Sequence, residues 1–212
     1  MDAQTFWNDV GSKKKFEDPL SLDQISKYID SESLILEYGC GYGRLMNVLS
    51  ENGYQNVIGF DCAPKMIQRG QEESPELNLN FIDKGQKLPL EDHSVDLVIM
   101  STILCCVTNN YEQNQLIEEA RRVLKKGAVL YLADFIISDH PRYTAKYQKG
   151  FEENEEWGIY RTDENVLVRH YSTKRIMELL KEFDIQWFEQ YDFKTMNQNP
   201  ARTFHLIAKK LS

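Results

Sequence analysis

Positive charge is in short supply: 25 lysines and arginines face 33 aspartates and glutamates, a net charge of −8. A large nucleic-acid footprint needs a concentrated basic face to neutralise phosphates, so this deficit argues against a nucleic-acid partner. The densest basic group, Arg121, Arg122, Lys125 and Lys126, falls at a helix end and reads as a solvated face. Long apolar runs are missing as well. None approaches membrane-spanning length, and the polar start Met1-Asp2-Ala3-Gln4 is unlike a secretion signal, so the expectation is a cytoplasmic protein with no membrane partner. Cysteine is sparse. Cys40, Cys62 and the adjacent Cys105-Cys106 have no zinc-ligand spacing, which predicts reduced thiols and no metal. No linker divides the 212 residues, and one compact domain is expected.

What is present is a glycine turn. Leu34-Ile35-Leu36-Glu37-Tyr38 is an apolar run carrying one acid, and it breaks into Gly39-Cys40-Gly41-Tyr42-Gly43 before helix-forming residues begin at Arg44. Glycine has no Cβ, so a ligand can lie on that backbone while the amides opening the next helix stay free to donate. A nicotinamide dinucleotide asks for G-x-G-x-x-G, but Arg44 fills the third glycine place. Glu37 stands two residues before the first glycine, where a carboxylate would repel a pyrophosphate and attract an ammonium group.

From Leu34 to Asp134 the chain resembles the class I S-adenosylmethionine-dependent methyltransferases. Arg44 to Asn52 reads as a helix with Leu45, Met46, Val48 and Leu49 on its apolar side, closed by Gly53. Asn56 to Phe60 reads as a strand ending at Asp61, and Pro64 suits the start of the next helix. Phe81-Ile82-Asp83 and Ser94 to Met100 read as the ends of a third strand and a fourth strand. Leu116, Ile117, Ala120, Val123 and Leu124 mark a helix stopping at Lys125-Lys126-Gly127, and Ala128 to Asp134 marks a buried fifth strand.

The resemblance implies an α/β, single-domain, Rossmann-like three-layer sandwich. Its sheet is mostly parallel and seven-stranded with an antiparallel final strand, and it implies the cofactor S-adenosylmethionine with product S-adenosylhomocysteine. The cofactor-binding residues it implies are Glu37, Gly39, Cys40, Gly41, Asp61, Cys62, Met66, Asp83, Lys84, Gly85 and Ser101. In this scheme Asp61 accepts the ribose hydroxyls and Met66 packs on adenine. The adenine-reading acid of the family lies four residues before the Leu of Leu-Pro, whereas Asp83 lies five before Leu88 and Lys84 fills the expected place. Either Asp83 reads the adenine amino group across a one-residue insertion, or backbone near Lys84 and Gly85 holds the base.

Two segments outside the cofactor core (34–134) carry the substrate readings. Residues 1–33 hold Phe6-Trp7-Asn8, an aromatic cluster expected as a lid, and Ser21-x-x-Gln24, a capping box expected to open a helix. Residues 135–171 form a cap inserted after strand 5, with a hairpin from Trp157 to Tyr171 turning at Asp163 to Asn165. Trp7, Tyr143, Tyr147, Trp157, Tyr160, Arg161, Arg169 and Tyr171 are the candidate substrate contacts. His170 is the candidate general base, since its unperturbed pKa is near neutral; the bland reading packs it against Tyr171 or bonds it to a backbone carbonyl. Residues 172–212 close the fold with a helix capped by Ser172, carrying Ile176, Leu179, Leu180 and Phe183, and strands at 185–191 and 203–209.

The leading function is therefore methyl transfer to a small-molecule acceptor by in-line displacement. An NAD(P)-dependent oxidoreductase and a non-catalytic S-adenosylmethionine-binding partner protein are the alternatives. The acceptor atom and the oligomeric state are not legible in these residues.

Overall fold

The computed structural model of the chain describes residues 2–211. A seven-stranded sheet runs through it in the order β3-β2-β1-β4-β5-β9-β8. Strands β1 (Ile35–Tyr38), β2 (Val57–Asp61), β3 (Asn78–Phe81), β4 (Val95–Ser101) and β5 (Leu124–Phe135) are parallel. Strand β9 (Pro200–Lys210) lies antiparallel between β5 and β8 (Phe183–Lys194). Helices cover both faces, so the inner strands are buried on both sides instead of alternating; β1 is buried at all four positions. The expected three-layer sandwich with one antiparallel strand is the fold observed.

On one face Leu36, Val98, Leu130 and Leu132 pack against α5 (Asn110–Val123) and α7 (Thr173–Leu179). On the other Ile35, Leu97, Ile99 and Tyr131 meet α3 (Arg44–Glu51) and the single turn α2 (Leu22–Ile25). Met46 and Leu49 of α3 are fully buried, and removing each from water stabilises the layer by about 1.5 to 3 kcal/mol. Helix α4 (Pro64–Glu73) has its proline in the first turn as expected, with Met66, Ile67 and Gly70 inward. The connections from β1 run to β2 and β3 on one side and to β4 on the other. A crevice therefore opens at the carboxyl ends of β1 and β4, where open α/β sheets bind ligands.

The N-terminal helix α1 (Ala3–Asp9) and the cap complete the chain. The cap is a helix, α6 (Pro141–Asn154), followed by a hairpin of β6 (Ile159–Arg161) and β7 (Leu167–Arg169). Tyr171 stitches it to the sheet, its N–H donating to Phe135 O at 2.9 Å and its carbonyl accepting from Ile137 N–H at 2.9 Å.

Several expectations need correction. Helix α5 stops at Val123, not at Gly127, because Leu124 is extended and buried and already pairs with Val95. Gly127 instead takes a left-handed turn (φ 75°) inside β5. Ser21 forms no capping box; its side chain is spent on His205 and Tyr131, and α2 is one turn long. Phe183 belongs to β8 and not to the late helix, which ends at Leu179. Helix α6 was missed, although Pro141 after His140 and the four-residue spacing of Tyr143 and Tyr147 signal it. Among the described residues no helix is long and apolar enough to cross a membrane.

Candidate functional site

Three alternating glycines shape the turn after β1. Gly39, Gly41 and Gly43 all take positive φ (82°, 56° and 81°), a region L side chains rarely adopt. A side chain at Gly41 would also meet Met66 Cε at 2.9 Å, and one at Gly39 would meet Ile103 Cδ1 at 2.8 Å. The turn is tied to its neighbour strand: Gly39 and Cys40 N–H donate to Phe60 O, at 2.7 and 3.1 Å. Asp61 completes the tie, its Oδ2 accepting from Gly41 N–H at 2.8 Å and its Oδ1 from Ala63 N–H at 2.7 Å. Each of those oxygens keeps a second lone pair for a ligand hydroxyl.

Glu37 is the electrostatic centre of the crevice. It is buried, its Oε2 has no hydrogen-bond partner, and burial pushes its carboxyl up to about 8, with Asp61 adding to the rise and Arg44 opposing it. A buried carboxylate without a partner is costly, and an ammonium placed on Oε2 would supply both the hydrogen bond and the opposite charge. Asp61 is likewise raised by burial, against the pull of the Ala63, Gly41 and Cys62 backbone donors. These residues fit a ligand that carries an ammonium, a vicinal diol and a flat base. They do not fit a pyrophosphate beside Glu37, and the oxidoreductase reading loses its footing here.

The base end of the crevice is open. Ile82 N–H donates to Asp61 O at 3.0 Å, which brings the loop after β3 beside Asp61, and Gly85 turns with φ 81°. Asp83 is exposed, and the Lys84 ammonium is drawn to Glu112 at 2.9 Å on α5. Met66 and Cys40 are buried against the turn, and Cys62 is half-buried.

At the tip of β4, Ser101 is followed by Thr102 with φ 53°, a strained conformation for a residue with a branched Cβ. Its N–H donates to Ala133 O on β5 at 2.8 Å. Next to it Asp134 is fully buried, capping the turn Leu104–Cys106 by accepting from Cys105 N–H at 3.0 Å. Burial pushes its carboxyl up to about 7. Thr102 and Asp134 were missed. Nothing in the sequence flags Thr102, but Asp134 carries the signal that marks Glu37 and Asp61, an acid at the end of an apolar strand.

The N-terminal segment lies across this edge. Gln4 Nε2 donates to Cys62 O at 2.7 Å and Trp7 Nε1 to Cys106 Sγ at 3.1 Å. Trp7 meets Phe16 edge-on, and Phe16 stacks on Tyr42 of the glycine turn with ring centroids 5.6 Å apart. Trp7 is therefore brought to the edge of the crevice. In the cap Tyr143, Tyr147 and Tyr160 gather around His170, which stacks on Phe135 at the end of β5. Both imidazole nitrogens are taken: Nδ1 lies 2.6 Å from the Tyr147 hydroxyl and Nε2 2.9 Å from that of Tyr160. Burial lowers the His170 pKa to about 3, so the ring stays neutral.

The other candidates are placed elsewhere. Tyr171 is buried with its hydroxyl donating to Leu104 O and accepting from Gln113 Nε2. Arg169 is buried against Glu156 and Asn110. Arg161 is exposed beside Glu153, and Trp157 is exposed beside Tyr147 and Phe151. These four are not brought to the crevice.

A family model described as a methyltransferase domain matches residues 36–132, the stretch that builds the crevice. The ubiquinone/menaquinone biosynthesis C-methyltransferase UbiE of Campylobacter jejuni is 26% identical over 205 residues, covering 88% of this chain and 83% of that protein. A ribosomal protein L11 methyltransferase of Clostridium perfringens is 23% identical over 138 residues, 63% of this chain and 42% of that protein. Among solved structures, a SAM-dependent methyltransferase of Methanosarcina mazei superposes with a TM-score of 0.82 at 29% identity, covering 92% of this chain and 99% of that one.

Proposed function

We propose that this chain, which is a class I S-adenosylmethionine-dependent methyltransferase, methylates a small molecule held between its N-terminal segment and its cap. The observation that carries the cofactor half is the unpartnered Glu37 Oε2 beside three left-handed glycines. When bound, S-adenosylmethionine supplies a methyl carbon made electrophilic by its sulfonium. Glu37 would hold the amino group and Asp61 the ribose hydroxyls. Met66 would pack on the base, and the backbone of Lys84 and Gly85 would read its edge, since the Lys84 side chain is engaged by Glu112.

The acceptor half rests on charge and enclosure. The strongly acidic chain disfavours nucleic acid, and the buried aromatic cluster of the cap at the β5 tip suits an apolar or aromatic molecule more than an extended polymer. Aligning the acceptor opposite the leaving sulfur is the chain's main task; near-attack positioning removes on the order of 7 to 11 kcal/mol in favourable cases. His170 acts in this reading through Tyr160. A neutral imidazole accepts at one nitrogen and donates at the other, so it fixes the Tyr160 hydroxyl and links it to Tyr147.

Incubation with methyl-labelled S-adenosylmethionine and a cell extract tests the assignment. Label should pass to small extractable molecules. Label confined to protein or RNA would refute the small-molecule reading, and label remaining wholly on the cofactor would favour a non-catalytic binding role.

A further inference from the structure

Asp18 lies in the irregular stretch between Lys14 and Ser21, and it is 5% exposed. Neither of its carboxylate oxygens has a hydrogen-bond partner among the described residues. The nearest opposite group is His205 Nε2, 3.5 Å from Oδ1, and no lysine or arginine of the described residues pairs with it. Thr203 stands two residues from His205 on the same face of β9, and its Oγ1 is also buried without a partner. On the far side of the ring, His205 Nδ1 lies 2.7 Å from the Tyr131 hydroxyl and 3.3 Å from Ser21 Oγ.

Thr203 and His205 lie at the end of β9 that pairs with the tip of β5. Thr203 pairs with Phe135 and His205 with Ala133 across β5 and β9, and Ala133 O is the acceptor for the Thr102 amide at the β4 tip. The Asp18 charge reaches far enough to raise the Asp134 carboxyl. Asp18 is therefore placed one to two strands from where a methyl group would face the acceptor.

The missing partner can be read from the atoms that lack it. His205 Nε2 lies beside Asp18 Oδ1, and Asp18 Oδ2 and Thr203 Oγ1 are left as open acceptors. A ligand carboxylate would be repelled. A hydroxyl brings one donor and no charge, whereas an ammonium brings three donors and the opposite charge.

We propose that Asp18 and Thr203 bind the ammonium group of an amine-bearing methyl acceptor, anchoring it beneath the N-terminal segment. The proposal rests on the methyltransferase reading for the position of the reacting methyl group. The amine is the handle by which the acceptor is held.

The test titrates benzylamine, benzyl alcohol and benzoate into the full chain saturated with S-adenosylhomocysteine, with wild type, Asp18→Asn and Thr203→Val compared. Benzylamine should bind saturably, benzyl alcohol about tenfold more weakly and benzoate not at all, as expected when a charge-assisted hydrogen bond is lost. Asp18→Asn should weaken benzylamine about tenfold and Thr203→Val severalfold, with S-adenosylhomocysteine affinity unchanged in both. Benzoate binding as tightly as benzylamine, no benzylamine binding, or unaltered binding in either variant would each overturn the proposal. So would a crystal structure of the complex with benzylamine in which water alone occupies the Asp18 oxygens. If Asp18→Asn does not fold, Thr203→Val and the order of the three ligands carry the decision. If wild type fails to bind S-adenosylhomocysteine, the methyltransferase reading falls, and the same titrations on the cofactor-free chain decide the Asp18 proposal alone.

Discussion

Replacing Glu37 by glutamine should stabilise the ligand-free protein while weakening its hold on the cofactor. In the folded chain burial keeps the Glu37 proton on until about pH 8, against an ordinary value of 4.5. Below about 4.5 folded and unfolded chains both carry the proton, and Glu37 contributes no pH dependence. As pH rises from 4.5 to 8 the unfolded chain releases the proton first, so stability falls, and the loss is complete above 8. At about 1.4 kcal/mol per pH decade, the wild type loses about 3 kcal/mol between pH 5 and pH 8 from this group. Glutamine has nearly the same shape and no charge, so the stability gap between variant and wild type should widen by that amount. For a chain of this size it corresponds to about 6 to 12 °C in melting temperature. The same change removes a charge-assisted hydrogen bond to the ammonium, about 1.5 to 3 kcal/mol, or about tenfold to a hundredfold in S-adenosylhomocysteine affinity. Thermal melts at pH 5 and 8 and calorimetric titration measure the two effects. A pH-independent gap, or undiminished affinity in the variant, would refute the reasoning.

Three further outcomes follow from particular contacts. Gly41→Ala forces a side chain into a left-handed position and against Met66 Cε; it should cost about 1 kcal/mol of stability and at least about tenfold in cofactor affinity, both read by melting with and without S-adenosylhomocysteine. Gly150→Ala drives a Cβ into the Ile159 carbonyl where α6 crosses the hairpin; hydrogen exchange should speed across residues 141–171 with the 35–61 core protected, and uniform exchange would contradict an independently packed cap. His170 stays neutral in the fold to about pH 3 while the unfolded chain takes its proton near 6.5. Its contribution is therefore lost as pH falls from 6.5 toward 3, and the near-UV circular dichroism of the cap tyrosines should fade over that window in wild type but not in His170→Leu.

The cofactor end of the crevice was legible because its chemistry demands residue types that are rare in such positions. Three alternating glycines are needed where the backbone is left-handed, and Glu37 and Asp61 are acids placed at the ends of apolar strands. The sheet was equally legible, since strands buried on both faces read as largely apolar runs. Boundaries fared worse where tertiary pairing overrode a local signal: Lys125-Lys126-Gly127 looks like a helix stop, yet Leu124 is claimed by Val95 and the stretch becomes strand. The cap tyrosines show the deeper limit. Composition places aromatic and cationic residues in one segment, but only packing separates Tyr160, whose hydroxyl meets His170, from Tyr171, whose hydroxyl is used up on Leu104 and Gln113. Asp18 and Thr102 left no trace, because neither a buried orphan oxygen nor a strained φ has a one-dimensional pattern.

A crystal structure of the chain with S-adenosylhomocysteine tests the central claim most directly. The account predicts the ligand amino group about 2.9 Å from Glu37 Oε2 and both ribose hydroxyls on Asp61, with the sulfur turned toward Thr102 and the N-terminal segment. A ligand bound elsewhere, or Glu37 Oε2 satisfied by the protein's own groups while the ligand occupies the crevice, would contradict it.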